Sequence, residues 1–121
     1  MTDTAIEPIL AANERPMEGV DESGRPWKRI PLETPLKRGP NEYREVILRK
    51  PLGGDCKSIN LTALHQANVD SLAILLPRVT EPTLSAQEVY RMGVDDLGEF
   101  GGAVIGFLLT RKAKAELGLT E

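Results

Sequence analysis

The spacing of apolar residues changes once along this chain, and that change constrains the fold more than any other feature. In residues 30–48 the apolar side chains fall on alternate positions, as Val46 and Leu48 do, which is typical of half-buried strands. From Leu72 onwards they recur at i, i+3, i+4 and i+7, the spacing of an amphipathic helix. The sequence therefore predicts an α+β fold, with a β-hairpin followed by a small bundle of three to four helices.

Turn and breaker residues set the limits of the predicted hairpin. Residues 37–41 carry Gly, Pro and Asn and predict its turn. Pro31 and Pro35 lack a backbone N–H, so we expect the first strand to be an edge strand or to be broken. Pro51 ends the second strand, and Asp55 just after it predicts a helix N-cap.

The first long helix has a continuous apolar stripe and a choice of two N-caps, Asn68 or Asp70. Pro77 is expected to kink or end it, because the proline ring clashes with the preceding turn. The stripe consists of Leu72, Leu75, Leu76 and Val79.

Two further helices are predicted towards the end of the chain. Residues 85–88, Ser-Ala-Gln-Glu, form a capping-box pattern that opens a short helix, which Gly93 stops. The last helix begins with Asp95 and Asp96 at its positive end. Its stripe is Leu97, Phe100, Gly101, Val104, Ile105 and Leu108, with Arg111, Lys112 and Lys114 at its negative end.

Composition and charge divide the chain into three parts. Residues 1–26 contain acids, Gly, Pro and polar residues, with six acids against two arginines, and lack any sustained period, so we expect a flexible acidic arm. Order is expected to begin near Trp27 in a domain of residues 27–114, with residues 115–121 as a flexible tail. Aromatic residues make up 4% of the chain. The large core side chains are therefore expected to be Trp27, Tyr43, Tyr90, Phe100 and Phe107.

The stretch Leu48–Cys56, LRKPLGGDC, raises the question of an active site. Cys56 is the only cysteine and His65 the only histidine, and nothing in the sequence brings them together as a nucleophile and base. They are also too few for a zinc site, and Gly53-Gly54 lacks the lysine of a phosphate-binding loop. We therefore predict no catalytic residue, no metal, no cofactor and no enzymatic activity.

Neither a membrane nor a nucleic acid is the expected partner. The longest apolar run, residues 101–109, is far below the roughly 20 residues of a membrane span, and no signal peptide is recognisable, so the protein is expected to be soluble. Residues 25–50 carry eight bases and three acids, which suits nucleic-acid binding. However, the net charge is −3 with a pI of about 5.3, which favours a solvated hairpin face instead.

Three glycines inside the last predicted helix are harder to explain. Gly98, Gly102 and Gly106 recur every four residues, and each costs about 0.8 to 1 kcal/mol relative to alanine. They lie on one side of the helix, where another backbone can approach closely. Packing within the protein is one explanation, and contact with another chain is the alternative.

Several short motifs between Ile30 and Lys114 resemble the tail assembly chaperones of contractile-tailed bacteriophages, the P2-like E proteins and their Mu-like relatives. The resemblance covers about 70% of the chain. The long acidic arm departs from the family pattern, so its role cannot be carried over. The motifs are LRKP at 48–51, LLPR at 75–78 followed by TL at 83–84, DL at 96–97 and GFL at 106–108.

The resemblance implies a chaperone that binds the long helical tape measure protein, keeps it soluble, and helps recruit tail tube subunits. It implies a frameshifted longer form as a further partner, leaves a homo-oligomer open, and requires no cofactor. Its place is the cytoplasm of the bacterial host and not the mature virion. The alternatives are a structural or adaptor protein of the tail and, third, a nucleic-acid-binding regulator.

The partner-binding site is expected where the two helical stripes remain exposed and on the surface at the end of the second strand. The expected site residues are Arg49, Lys50, Leu72, Leu76, Gly98, Gly102 and Gly106.

Overall fold

The fold is known from a computed structural model, which describes residues 16–116 and residue 118. Its strands are β1 (Glu18–Val20), β2 (Pro26–Arg38), β3 (Asn41–Arg49) and β4 (Thr80–Glu81), which form one antiparallel sheet in the order β1-β2-β3-β4. The helices are α1 (Leu61–His65), α2 (Val69–Val79), α3 (Ala86–Arg91), α4 (Val94–Leu108) and α5 (Arg111–Glu116). The predicted α+β class is confirmed, with five helices in the described part instead of three or four.

Strands β2 and β3 form the predicted hairpin, with the turn at Gly39 and Pro40. Gly39 has a φ of 59°, a left-handed conformation that glycine adopts without steric cost. Ile30 lies opposite Val46 in the ladder, and both are buried, as is Leu48 two residues further along β3. The alternation of apolar residues is therefore confirmed as the inner face of the sheet.

Order begins earlier than predicted, because β1 lies within the range assigned to the arm. A turn stabilised by the Asp21 side chain connects β1 to β2. The Asp21 carboxylate accepts hydrogen bonds from the Ser23 hydroxyl and from the backbone N–H groups of Ser23 and Arg25. These bonds, that of the Ser23 hydroxyl first, lower the pKa of Asp21. The chain thus reverses and β1 pairs with β2. Residues 1–15 of the expected arm lie outside the described residues.

Strand β2 is central and interrupted, so of the two alternatives predicted from the prolines, an edge strand or a broken strand, the broken strand is confirmed. It lies between β1 and β3 and is no edge strand. Its register shifts between Pro31, which pairs with Glu45, and Leu36, which pairs with Tyr43, so four residues of β2 face one of β3. The predicted break is therefore a bulge at residues 32–35.

The carboxylate of Asp96 binds this bulge. Its two oxygens accept hydrogen bonds from the backbone N–H groups of Glu33, at 2.7 Å, and Thr34, at 3.1 Å. Asp96 is 1% exposed and lies in the first turn of α4, so its charge also interacts favourably with the helix N-terminus. The sequence predicted the helix-end role of Asp96 but not its contact with the sheet.

The core lies between the sheet and α2, α3 and α4, and it is almost entirely aliphatic. Among the five aromatic residues expected there, only Phe100 is fully buried, and Tyr90 is 56% exposed. The hydroxyl of Tyr90 donates to the Asp70 carboxylate at 2.7 Å, so its ring lies on the surface of α3. The buried apolar residues are Ile30, Val46, Leu48, Leu64, Leu72, Ala73, Leu75, Leu76, Val79, Leu84, Val89, Phe100 and Val104.

Helix starts were predicted better than helix ends. Asn68 caps α2 by accepting from the Ser71 N–H, as expected. Asp55, in contrast, caps no α-helix. It lies inside a 3-10 helix, Gly53–Cys56, where it accepts from the Leu52 N–H and binds Arg25. Pro77 does not end α2, which continues to Val79 because only one backbone hydrogen bond is lost at a proline.

The basic residues near the end of the chain were predicted to lie at the end of the last long helix. They belong instead to α5. Helix α4 ends at Leu108, and Thr110 then caps α5 by accepting from the Ala113 N–H at 3.0 Å. Helix α5 extends to Glu116, into the predicted tail of residues 115–121. Residues 117 and 119–121 of that tail lie outside the described residues.

An ion pair joins the hairpin to α3. The Arg38 guanidinium donates to both oxygens of the Glu88 carboxylate, at 2.8 and 2.9 Å. Glu88 also completes the predicted capping box by accepting from the Ser85 N–H. The hydrogen bond from Arg38 is the main cause that lowers the pKa of Glu88 and raises that of Arg38.

We predict that Asp96→Ala lowers the free energy of unfolding by about 2–4 kcal/mol, because two backbone donors lose a charged acceptor. The measurement is urea unfolding followed by circular dichroism. Asp95→Ala is the matched control. It removes a carboxylate and a hydrogen bond from the same helix turn without touching the bulge, and should cost about 1 kcal/mol or less. Equal losses in both variants would contradict the role of Asp96.

We also predict that Glu88→Gln makes stability less dependent on pH. Because the pKa of Glu88 is lower in the folded state, its carboxylate stabilises the fold above the ordinary pKa of about 4.5 and loses this effect as the pH falls. The difference in Tm between wild type and Glu88→Gln should therefore be largest near neutral pH and shrink in acid. In an Arg38→Met background the same substitution should change the pH profile less.

Candidate functional site

A depression that contains predicted site residues runs between β1 and α4, and we call it the β1–α4 groove. It has two adjoining parts, of about 380 and 450 Å³, which share Glu18 and Lys28. The first part is lined by Met17, Gly98, Gly102 and Ala103, among others. The second is lined by Val20, Trp27, Phe107, Leu109 and three lysines.

Close packing of β1 on Trp27 builds one wall of the groove. A Cβ atom at Gly19 would lie 2.8 Å from Cζ2 of the Trp27 indole, so only glycine allows this approach. The guanidinium of Arg29 lies over the same indole, 5.6 Å from its centre. Val20, at the end of β1, is 63% exposed and presents an apolar rim.

The glycines of α4 form the opposite wall, and they differ in their surroundings. A Cβ at Gly101 would meet the Ala67 side chain at 3.2 Å, so packing within the protein explains that glycine. At Gly98 and Gly102 a Cβ would meet no atom within 4 Å, and at Gly106 it would meet only Nζ of Lys28, at 3.3 Å. Packing among the described residues therefore does not account for Gly98 or Gly102.

Charge is distributed unevenly between the arginines and lysines of the hairpin region. Five arginines form ion pairs with carboxylates of the same chain, which neutralises much of the basic segment that suggested nucleic-acid binding. Within residues 16–116, Lys28, Lys50 and Lys114 form no ion pair, and all three line the groove. The pairs are Arg25–Asp55, Arg29–Glu45, Arg38–Glu88, Arg44–Glu42 and Arg49–Glu81.

The structure brings some of the predicted site residues together and separates others. Lys50, Gly98 and Gly102 line the groove, and Gly106 lies beside it. Arg49 instead faces Glu81 of β4, with 3.5 Å between their charged atoms.

The prediction for Leu72 and Leu76 is wrong, because both are fully buried in the core. They were expected on an exposed stripe, since a hairpin alone could not cover α2. In the fold, α1 and α3 also contact α2.

Several groove residues were missed in the sequence. Val20 and Lys28 belong to a β1–β2 pairing that no alternation pattern announced, and Phe107 and Trp27 were assigned to the core. The apolar run at residues 107–109 was one available signal for the groove. It is broader than a single helix stripe and therefore indicates apolar surface on a second side of the helix.

The described residues form no recognisable catalytic or metal-binding site around the stretch LRKPLGGDC. Burial is the main cause that raises the pKa of the Cys56 thiol, which makes it a poorer nucleophile at neutral pH. His65 is exposed, and its Nδ1 contacts the Leu61 carbonyl at 2.8 Å. In residues 16–116 and 118, no group of three potential metal ligands comes together, and none of the helices has the length and apolar character to cross a membrane.

The family model for "Phage tail assembly chaperone proteins, E, or 41 or 14" matches residues 29–109. The match runs from Arg29 within β2 to the end of α4, and hence includes the bulge and the glycines but not Trp27 or Lys28. Strand β1 and everything before it lie outside the match. No solved structure matches this chain significantly.

Two curated relatives come from Escherichia phage P2. Tail assembly protein E is 40% identical over 79 residues, which are 65% of this chain and 87% of E. Tail assembly protein E′ is 40% identical over 89 residues, which are 74% of this chain and 59% of E′. The chain therefore spans most of E but less than two thirds of E′, which is the longer relative.

The open space at Gly102 leads to a prediction about stability. Gly102→Ala should raise the free energy of unfolding by about 0.5–1 kcal/mol, because alanine favours the helix and its methyl group meets no neighbour. Gly101→Ala is the matched neighbour, and its methyl group must displace Ala67. Chemical unfolding should therefore rank Gly102→Ala above Gly101→Ala in stability, and the reverse order would contradict the described surroundings of the two glycines.

Proposed function

The chain belongs to the family of phage tail assembly chaperone proteins, and on this premise we propose that it binds the tape measure protein during tail assembly. In this proposal it keeps that long helical protein soluble until the tube encloses it, and it helps recruit tail tube subunits. It acts in the cytoplasm of the bacterial host, without catalysis or a cofactor, and is absent from the mature virion.

The observation that supports this proposal is the β1–α4 groove. Helix-binding grooves generally combine an apolar surface with room for a second helix. Here the apolar side chains of Val20, Trp27 and Phe107 line one part of the groove, and the bare backbone of α4 at Gly98 and Gly102 lines the adjoining part. We therefore propose that apolar faces of tape measure helices bind in this groove.

The proposal extends to a longer form of the same protein. The P2 relatives named E and E′ both match this chain, and E′ is the longer. We propose that a frameshifted longer product of this reading frame also exists and takes part in tail assembly with the short form.

The test is co-expression with the tape measure protein of the same phage, and the measurement is the soluble, co-purifying fraction of that protein. Wild type should raise this fraction. Gly102→Leu should lower it, because a leucine at this helix position, where a Cβ atom would meet nothing within 4 Å, extends into the groove. Val20→Asp should do the same by placing a charge on the apolar rim.

Leu61→Asp is the control, because Leu61 is an apolar residue of α1 that is 53% exposed and does not line the groove. It should support solubility as wild type does. If the tape measure protein stays insoluble with wild type, even when the longer product is supplied, the chaperone proposal is wrong. Stoichiometric amounts of the protein in purified particles would favour a structural or adaptor role.

A further inference from the structure

The β1–α4 groove carries opposite charges at its two ends. Its first part, beside Gly98, is lined by Glu99, whereas its second part, beside Phe107, is lined by Lys50 and Lys114. None of these three charged side chains forms an ion pair with another described residue. The groove is therefore acidic towards the start of α4 and basic towards its end.

The charged residues in the middle of the groove do not cancel this difference. Glu18 and Lys28 line both parts, and they lie directly opposite each other in the register of β1 and β2, so their opposite charges offset one another. The Lys28 ammonium also lies over the Phe107 ring, at the basic end. Arg29 lines the first part, but its guanidinium is paired with Glu45. The polarity of the groove is thus retained along its length.

The distance between the two ends suits a helix. From Gly98 to Phe107, α4 rises by about 14 Å, which corresponds to between two and three turns of a helix lying alongside. Glu99 and Lys50 are exposed and Lys114 is half-buried, so all three side chains can contact such a ligand. The complementary ligand is an amphipathic helix with acidic residues at one end of its bound segment and basic residues at the other.

We propose that the β1–α4 groove binds helices of the tape measure protein in one orientation, with the acidic end of each bound segment at Lys50 and Lys114 and the basic end at Glu99. This inference rests on the proposed function, since it assumes that these helices use the groove. Apolar contacts with Val20 and Phe107 supply affinity, and the charges select the orientation. A reversed helix would bring like charges together at both ends, which is unfavourable.

Trp27 can report the orientation, because it is the only tryptophan and lies at the basic end of the groove. There the carbonyl of its neighbour Pro26 accepts a hydrogen bond from the Lys50 N–H at 2.8 Å. The probe is a designed peptide of about 16 residues without tryptophan, long enough to form a helix on the groove. It has a leucine face, two lysines in its first turn and two glutamates in its last turn.

The peptide is made in two versions, with a nitroxide on the acidic end or on the basic end, because a nitroxide quenches tryptophan emission only at short range. With the full-length protein at low salt, we expect the acidic-end label to quench Trp27 at least about fivefold more strongly than the basic-end label. In about 1 M salt the two labels should approach equal quenching, since exposed charges are then screened.

Reversing the charges of the groove should reverse the result. In Glu99→Lys/Lys50→Glu/Lys114→Glu the basic-end label should quench Trp27 more strongly. In Glu99→Gln/Lys50→Gln/Lys114→Gln, which removes the polarity without adding new charges, the two labels should quench equally. Thermal unfolding verifies that each variant is folded, and the glutamine variant serves as the test if the charge-reversed one is not.

The matched control is Glu33→Lys/Lys57→Glu/Lys112→Glu. It makes the same changes in charge on exposed side chains that do not line the groove, so it should behave as wild type does. A reversal in this control as well would show that the net field of the protein, and not the groove, orients the peptide.

Equal quenching by the two labels in wild type at low salt, or stronger quenching by the basic-end label, would overturn the orientation. Absence of quenching by either label would overturn helix binding in the groove. The two proposals can fail separately. A tape measure protein that co-purifies in soluble form, while both labels quench equally, would refute the orientation alone. One that stays insoluble, while the peptide binds in the expected orientation, would refute the proposed function.

Discussion

Two backbone N–H groups in the middle of the sheet need an acceptor, because the bulge of β2 removes Glu33 and Thr34 from the ladder with β3. Asp96 supplies it from the first turn of α4. A buried carboxylate is costly unless it is fully bonded, and here backbone donors and the helix N-terminus share that role. The start of α4 is thereby attached to the bulge of β2.

The groove depends on a second contact at the other end of α4. The ammonium group of Lys28 lies 5.0 Å from the centre of the Phe107 ring, so β2 and the last turn of α4 also meet. Helix α4 is therefore attached to the sheet near both of its ends, while its glycine face remains open beside β1. A groove whose walls are held in place loses little conformational entropy when a ligand binds, which supports the proposed binding of tape measure helices.

Most local signals in the sequence were reliable, with the N-cap expected at Asp55 as an exception, and non-local ones were not. The strand period, the Asn68 cap and the Ser85–Glu88 capping box depend on residues within one or two turns of each other, and all are confirmed. Strand β1 depends on the turn at Asp21 and on the fit of Gly19 to Trp27, for which no periodic pattern exists. The helical period likewise identified the apolar face of α2 but could not show that other helices cover Leu72.

Stability alone does not explain why α4 keeps glycine at its open positions. Alanine would fit at Gly98 and Gly102 and would favour the helix by about 0.8–1 kcal/mol at each. A methyl group there would, however, hold a second helix further from the α4 backbone, and close approach is the usual benefit of small residues on a helix face. Lys28, Lys50 and Lys114, which form no ion pair with a described carboxylate, are consistent with the same interpretation. Arginine suits fixed two-point pairing with a carboxylate, as Arg38 pairs with Glu88, whereas a flexible lysine can follow a ligand whose carboxylates change position from one segment to the next.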